Sequence, residues 1–203
     1  NPMGTYLPGD KIIQALKDLP KGCLFILDEA YSEFAPASSL PKIEITDARV
    51  VRLRTFSKAY GMAGARVGYA MAEENLIKSF EKIRNHFGMN RSAQKAAFEA
   101  LSDNQWLLEM VQKVENGRQR IYKIAAENNL KSITSATNFV AIDCGKDSNF
   151  AKKVLKELIS LGIFVRMPFV SPQDRCVRVS VGQKRDLDRF EKALPTALTR
   201  ASK

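Results

Sequence analysis

A serine and a lysine, Ser57 and Lys58, stand near the start of a glycine-rich stretch that also contains Arg66. An arginine grips phosphate with charge-assisted, often bidentate hydrogen bonds, and hydroxyl groups add further hydrogen bonds. A lysine held among cationic and desolvating neighbours is more readily neutral, and a neutral amine is a nucleophile. The stretch RTFSKAYGMAGARVGY at 54–69 therefore predicts a phosphate-binding site around a reactive lysine. The alternative is a turn loosened by its glycines, with Lys58 and Arg66 in solvent.

A second candidate for chemistry is Asp28, which directly follows the apolar run CLFIL. In open α/β sheets, ligands bind at the carboxyl ends of the strands, so the segment FILDEAY at 25–31 places this acid favourably. Two other interpretations stay open. The acidic pair at 28–29 could simply end the strand, or it could belong to a nucleotide-hydrolysing Walker B strand. The latter is disfavoured because the sequence contains no GxxxxGK[ST] phosphate loop.

Alternating strands and helices must position these residues. Continuous apolar runs predict buried strands, and apolar residues at helical spacing predict surface helices. The predicted elements are a helix at 8–19, strands at 23–28, 49–53 and 65–72, helices at 73–85 and 91–101, and a long helical stretch at 103–129. This alternation predicts an α/β sheet.

A second, smaller α/β unit is predicted from about residue 137. Its elements are a strand at 139–143, a helix at 147–161, strands at 163–167 and 176–181, and a helix from about 184. The predicted organisation is therefore a domain at 1–105, a long connecting helix at 106–136, and a small domain at 137–203.

The composition narrows the class of protein less than the motifs do. The chain has 32 basic and 22 acidic residues and a formal net charge of +10. Because the basic residues are scattered rather than clustered in blocks, we predict a solvated surface and no nucleic-acid partner. A nucleic-acid-binding or regulatory module is kept as the non-enzyme alternative. The apolar runs are shorter than the roughly 20 residues of a membrane-spanning helix, so no membrane partner is predicted.

The cysteines indicate a reducing compartment. They are three in number and far apart in the sequence, at Cys23, Cys144 and Cys176. This spacing predicts neither a disulfide framework nor a CxxC metal site. We expect three buried thiols, a cytoplasmic protein and no bound metal.

Four motifs together resemble those of the fold-type I pyridoxal-5′-phosphate (PLP) dependent aminotransferases, and most closely the histidinol-phosphate aminotransferase branch. They are NPMGT at 1–5, DEAY at 28–31, SKAYGMAGARVGY at 57–69 and CVRVSVG at 176–182. Their order and spacing are similar to those of the C-terminal portion of a family member. The resemblance implies part of the PLP-binding large domain, with a mixed, mostly parallel sheet, plus a smaller C-terminal α/β domain.

The resemblance also implies roles for the residues of the first three motifs. Lys58 forms the Schiff base with PLP and shuttles the proton, and Asp28 lies under the pyridine nitrogen and keeps it protonated. Asn1 and Tyr31 hydrogen-bond the phenolic oxygen of the cofactor. The phosphate is held by Ser57, Arg66 and, with a lesser part, Thr55.

For the substrate, the resemblance implies that Arg178 binds the α-carboxylate. A fixed guanidinium fork sets which bond of the α-carbon stands perpendicular to the cofactor ring. Arg166 matches a position that faces the distal group of the substrate, and Asn1 also contributes to this site. Two departures from the family pattern are Met3, where threonine is usual, and HFGMNRSAQ at 86–94, which is less similar to the histidinol-phosphate branch.

The implied activity is transfer of an amino group between an amino acid and a 2-oxo acid or phosphorylated ketone, with histidinol phosphate and 2-oxoglutarate as the best single pair. An aromatic aminotransferase and a decarboxylase of phosphorylated amino acids are the alternatives. We further expect a homodimer, and an N-terminal segment before Asn1 that supplies the rest of the cofactor site. The 203-residue chain alone is accordingly expected to bind PLP weakly.

Overall fold

The structure is a computed structural model that describes residues 2–203. It contains two compact units, one formed by residues 7–111 and the other by the residues up to Tyr6 together with 112–203. The domain bounds at 1–105, 106–136 and 137–203 remain a prediction.

The unit at 7–111 contains a three-stranded mixed sheet. Its strands are β1 (Phe25–Asp28), β2 (Val50–Thr55) and β3 (Gly68–Met71), in the order β1-β2-β3. β1 and β2 are parallel, whereas β2 and β3 are antiparallel. The expected mixed sheet is therefore present, with one parallel and one antiparallel pairing among the described strands. Because β1 and β2 are parallel, their carboxyl ends lie at the same edge of the sheet.

One helix precedes the strands of this sheet in the sequence, and two helices follow them. They are α1 (Gly9–Lys17), α2 (Glu74–Phe80) and α3 (Arg91–Ser102). α3 begins where the side chain of Asn90 accepts a 2.7 Å hydrogen bond from the amide of Ala93, which satisfies an otherwise free helical N–H group. Alanines on the buried face of α3 pack against the residues that flank Lys58 in the sequence, in a core of Phe56, Val67, Ala93 and Ala97.

The long helix α4 (Asn104–Glu127) leads into the unit at 112–203. This unit contains the antiparallel strands β4 (Lys131–Ile133), β5 (Phe139–Asp143) and β6 (Cys176–Ser180), in the order β4-β5-β6. Its remaining helices are α5 (Ser148–Ser160) and α6 (Lys184–Ala201). The apolar faces of α4, α5 and α6 pack with β5 and β6 in one core, whose fully buried members include Ile121, Val140, Leu158, Val177 and Leu194.

Two sequence predictions need correction here, and one strand was missed. The strand predicted at 163–167 is reduced to one isolated bridge between Arg166 and Arg178, and Pro168 follows closely with no N–H group to continue a ladder. The short strand β4 was not predicted. Of the three cysteines, Cys23 is exposed because it lies in the turn before β1, while Cys144 and Cys176 are buried as expected.

Within the part of the chain that the structure describes, none of the helices combines the length and apolar character needed to cross a membrane.

Candidate active site

The segment that carries Lys58 is a loop closed at its base by main-chain hydrogen bonds. The amide of Phe56 donates to the carbonyl of Val67 at 3.2 Å, which extends the pairing of β2 with β3. The amide of Gly61 then donates to the carbonyl of Lys58 at 3.0 Å. Gly61 has φ = 69°, a left-handed conformation that glycine adopts without a steric penalty. Lys58 therefore lies in a tight turn at the carboxyl end of β2.

Gly68 lies at the start of β3, where the main chains approach closely. A Cβ atom at this position would come within 2.6 Å of the carbonyl oxygen of Arg54. Real side chains do not approach a main-chain oxygen so closely, so glycine is required for the pairing that holds the base of the loop.

The predicted phosphate-binding residues lie at the carboxyl end of β2 and in the loop that joins β2 to β3. The pairing of Thr55 with Gly68 is extended by the hydrogen bond from the Phe56 amide to the Val67 carbonyl, and Ser57 and Arg66 are the next residues along the two chains. The hydroxyl of Thr55 accepts a 3.1 Å hydrogen bond from the amide of Ser57. Two hydroxyls and an arginine are thus brought to one end of β2.

Arg66 itself combines an unusual backbone conformation with an exposed side chain. Its backbone is left-handed, at φ = 54° and ψ = 48°, which is uncommon for a residue with a side chain. The guanidinium donates a 2.8 Å hydrogen bond to the carbonyl of Ala63. Strained residues of this kind cluster at ligand-binding sites, where they aim a side chain or amide at the ligand.

Asp28 ends β1 at the same edge of the sheet as the loop. It pairs in register with Leu53, and its exposed carboxylate accepts a 2.9 Å hydrogen bond from the amide of Ala30. This local bond orders the turn that leads to Tyr31. The Lys58 ammonium nitrogen lies 5.2 Å from the centre of the Tyr31 ring, within the range of a cation–π contact. The segments that follow β1 and β2 therefore meet at Tyr31 and Lys58.

An ion-pair cluster that was not predicted from the sequence lies at the same strand ends, on the face of the sheet opposite Asp28 and Thr55. Glu29 is buried, and its carboxylate accepts hydrogen bonds from Arg52 at 2.6 and 3.1 Å and from Arg54 at 3.0 Å. Glu33 lies 3.9 Å from Arg54. A signal was present in the sequence: two arginines at alternate positions of an otherwise apolar strand, with two acids after the neighbouring strand.

The charges of this cluster perturb the groups around them. Burial lowers the pKa of Arg54, but the hydrogen bond and charge of Glu29 raise it by more, so that the pKa is raised overall and the guanidinium stays charged. The pKa of Tyr60 is also raised, first by burial and then by the negative charge of Glu33. Tyr60 therefore stays protonated at neutral pH.

Arg166 and Arg178 belong to the other unit, where their main chains pair. The Arg178 amide donates to the Arg166 carbonyl at 2.6 Å, and the reverse bond measures 3.1 Å. The guanidinium carbon of Arg178 lies 4.6 Å from the centre of the Phe139 ring, and this stacking holds the side chain in place. Among residues 2–203, no acidic side chain forms an ion pair within 4.0 Å of either guanidinium.

Asn1 lies outside the described residues. The residues that follow it are anchored in the unit at 112–203. Met3 is buried against Ala141 and Cys176. The carbonyl of Gly4 accepts a 2.8 Å hydrogen bond from the amide of Ala136.

The geometry defines an α/β protein with a lysine, an acid, two hydroxyls and an arginine at the carboxyl ends of two parallel strands. Such a set suits a ligand that carries both a phosphate and an electrophilic carbon. The model of the family described as aminotransferase class I and II matches residues 1–194. The chain belongs to that family.

Individual relatives share most of this chain. A histidinol-phosphate aminotransferase of Geobacillus sp. (strain WCH70) is 38% identical over 202 residues, which are 98% of this chain and 54% of the relative. A histidinol-phosphate aminotransferase of Bacillus licheniformis is 38% identical over 197 residues, which are 96% of this chain and 54% of the relative. The chain thus spans about half the length of these curated relatives.

Solved structures agree in fold. A histidinol-phosphate aminotransferase from Sinorhizobium meliloti, crystallised in complex with pyridoxal-5′-phosphate, is 47% identical with a TM-score of 0.95. The match covers 98% of this chain and 55% of that one. The fold is therefore that of the PLP-dependent fold-type I proteins.

Proposed function

We propose that the protein to which this chain belongs is a PLP-dependent aminotransferase that moves an amino group between an amino acid and a 2-oxo acid or phosphorylated ketone. The main support within the structure is the convergence of the β1 and β2 ends, where the Lys58 amine lies 5.2 Å from the Tyr31 ring. The 38% identity to histidinol-phosphate aminotransferases over almost the whole chain supports the same class.

The residues present fit the cofactor. Ser57, Thr55 and Arg66 supply donors suited to a phosphate and lie at the carboxyl end of β2. Gly68 has no side chain, and a Cβ atom at this position would push the main chain of Arg54 away. The two chains at the base of the loop therefore lie close together. When bound, PLP supplies an aldehyde and an electron-accepting ring, which stabilise negative charge at the substrate α-carbon.

The residues of the chain would divide the work as follows. Lys58 would hold the aldehyde carbon covalently and later move the proton at the substrate α-carbon. Asp28 would hold a proton at the ring nitrogen, because a carboxylate favours a cation beside it. The Tyr31 hydroxyl and the side-chain N–H group of Asn1 would each donate a hydrogen bond to the phenolic oxygen.

For substrate binding, we assign Arg178 to the α-carboxylate. Its guanidinium is stacked on Phe139 and has no acidic partner among the residues of the unit that the structure describes. Arg166 would face the distal group, and a phosphate there fits the histidinol phosphate of the relatives. We further propose a cytoplasmic homodimer active in amino-acid biosynthesis, with a segment before Asn1 completing the site.

A half-reaction screen of the full-length protein tests the proposal. Conversion of bound PLP to its amino form is followed by absorbance with a panel of amino donors. We expect glutamate and histidinol phosphate to convert the cofactor, with stoichiometric release of the oxo product. Release of carbon dioxide instead would assign the protein to the decarboxylases, and absence of any reaction with bound PLP would contradict the proposal.

A further inference from the structure

The ion-pair cluster at Glu29 has no part in the chemistry proposed above, although it directly adjoins the site in sequence. Glu29 follows Asp28, and Arg54 precedes Thr55. Its carboxylate side chain is only 5% exposed, whereas those of Arg52 and Arg54 are 18% and 23% exposed. Burial of charge costs free energy unless the geometry is good and the groups are fully hydrogen-bonded, so stability alone is a weak explanation for this cluster.

The strand register shows which arrangement this cluster fixes. Asp28 pairs with Leu53, and the amide of Glu29 continues the parallel ladder with a 2.9 Å bond to the Leu53 carbonyl. Successive side chains of a strand point to opposite faces. Glu29 and the two arginines therefore lie on one face, and Asp28 and Thr55 lie on the other.

The hydrogen bonds cross from the end of one strand to the end of the next. Both carboxylate oxygens of Glu29 are engaged, one by Arg52 alone and the other by Arg52 and Arg54 together. Arg54 continues to Glu33, whose side chain is 8% exposed. Glu29, within the Asp28–Tyr31 turn, and Glu33, just after it, are thus tied to β2, the strand that leads into the Lys58 loop.

We propose that Glu29 is a positioning residue: held by Arg52 and Arg54, it fixes the turn that carries Asp28 and Tyr31 relative to the loop that carries Lys58. The inference rests on the proposed function, and it adds a residue that does not itself touch the reacting atoms. A displacement of about 1 Å at a reacting group can cost on the order of a hundredfold in rate, so a rigid tie between the strand ends has a kinetic consequence.

The test compares Glu29→Gln with Glu74→Gln in the full-length protein. The Glu29 variant keeps the shape of the side chain but removes the counter-charge of Arg52 and leaves Arg54 with Glu33 alone, at 3.9 Å. Glu74 forms an exposed pair with Lys78 on α2, with its own side chain 77% exposed, and serves as the matched control. The measurements are the dissociation constant for PLP by equilibrium dialysis, the visible circular dichroism of the bound cofactor, and kcat and KM for the amino donor.

For Glu29→Gln we expect weaker PLP binding, an altered cofactor dichroism, and kcat lowered by about tenfold to a hundredfold with KM nearly unchanged. Glu74→Gln should match the wild type in all three. If Glu29→Gln folds and also matches the wild type in dichroism and kcat, the inference is wrong. If the wild type itself binds no PLP, the proposed function fails instead.

A milder variant covers the case in which Glu29→Gln does not fold. Arg54→Lys keeps the positive charge but loses the planar fork that joins Glu29 to Glu33. We expect the same changes in dichroism and kcat at smaller size. A purely structural cluster would lower the melting temperature of Arg54→Lys and leave the dichroism and kcat of its folded fraction unchanged, and that result would overturn the inference.

Discussion

At the scale of single residues, the site consists of ordinary side chains brought together by main-chain geometry. Lys58 and Arg66 lie in one loop, and Asp28 reaches the same sheet edge only because β1 and β2 are parallel. The motifs in the sequence were sufficient to nominate these residues. The Glu29 cluster was not nominated, because a buried charge is recognised by its contacts rather than by its residue type.

Replacing Arg178 by lysine tests the assignment of the α-carboxylate site in the full-length protein. Lysine keeps the charge but cannot form two parallel hydrogen bonds or stack on Phe139 in the same way. Loss of a hydrogen bond to a charged group costs about 1.5–3 kcal/mol, so we expect kcat/KM for the amino donor to fall by roughly tenfold or more. Steady-state kinetics measure this, and an unchanged kcat/KM would remove Arg178 from the site.

The buried thiol of Cys144 makes stability depend on pH. Burial raises its pKa to about 12, whereas an unfolded cysteine titrates near about 8.5. Between these pH values the folded state binds the thiol proton more tightly than the unfolded state does. The contribution of Cys144 to the free energy of unfolding is therefore fully present below the lower pKa and is lost as pH rises. We expect the urea midpoint of the unit to fall between about pH 8.5 and 10.5, and to fall less in Cys144→Ala. Equal slopes for the two proteins would contradict this explanation.

At the scale of secondary-structure elements, the alternating pattern predicted most helices and strands but not every boundary. The strand at 139–143 was predicted with the bounds that the structure shows, because a fully apolar run ends at a polar turn. The segment at 163–167 is equally apolar, but it pairs through a single bridge. Local composition predicts the tendency to be extended, whereas pairing depends on the partner strand and on Pro168.

Gly68→Ala tests the importance of close main-chain approach between β2 and β3. The added methyl group would lie 2.6 Å from the Arg54 carbonyl oxygen, so the strands must separate. We expect a loss of about 1–3 kcal/mol in the free energy of unfolding, the usual cost of overpacking. Gly64→Ala is the control, since a Cβ there meets no atom within 4 Å. Equal urea midpoints for the two variants would show that the approach has no energetic importance.

At the scale of the whole molecule, the sequence predicted an α/β protein with a large-domain portion and a smaller unit, and the family match confirms that fold. The position of the unit boundary could not be derived from composition, because α4 is continuous across it. The oligomeric state and the substrate could not be predicted from the sequence, and the reason is physical. Both depend on surfaces that are complementary to another molecule.

The chain covers only about half of its relatives, and this leads to a prediction about its affinity for PLP. Because the chain spans 54% of the Geobacillus relative, we expect the 203-residue chain to bind PLP much more weakly than the full-length protein. Equilibrium dialysis of both against PLP measures the difference. Equal dissociation constants would show that residues 1–203 hold the whole cofactor site.

The most direct measurement concerns Lys58. The full-length protein is incubated with PLP and reduced with borohydride, which makes any bond between the lysine and the cofactor permanent, and its peptides are then mapped by mass spectrometry. We predict a phosphopyridoxyl group on Lys58 of the wild type and no site-specific adduct in Lys58→Ala. An adduct on a different lysine, or none at all, would contradict the central claim.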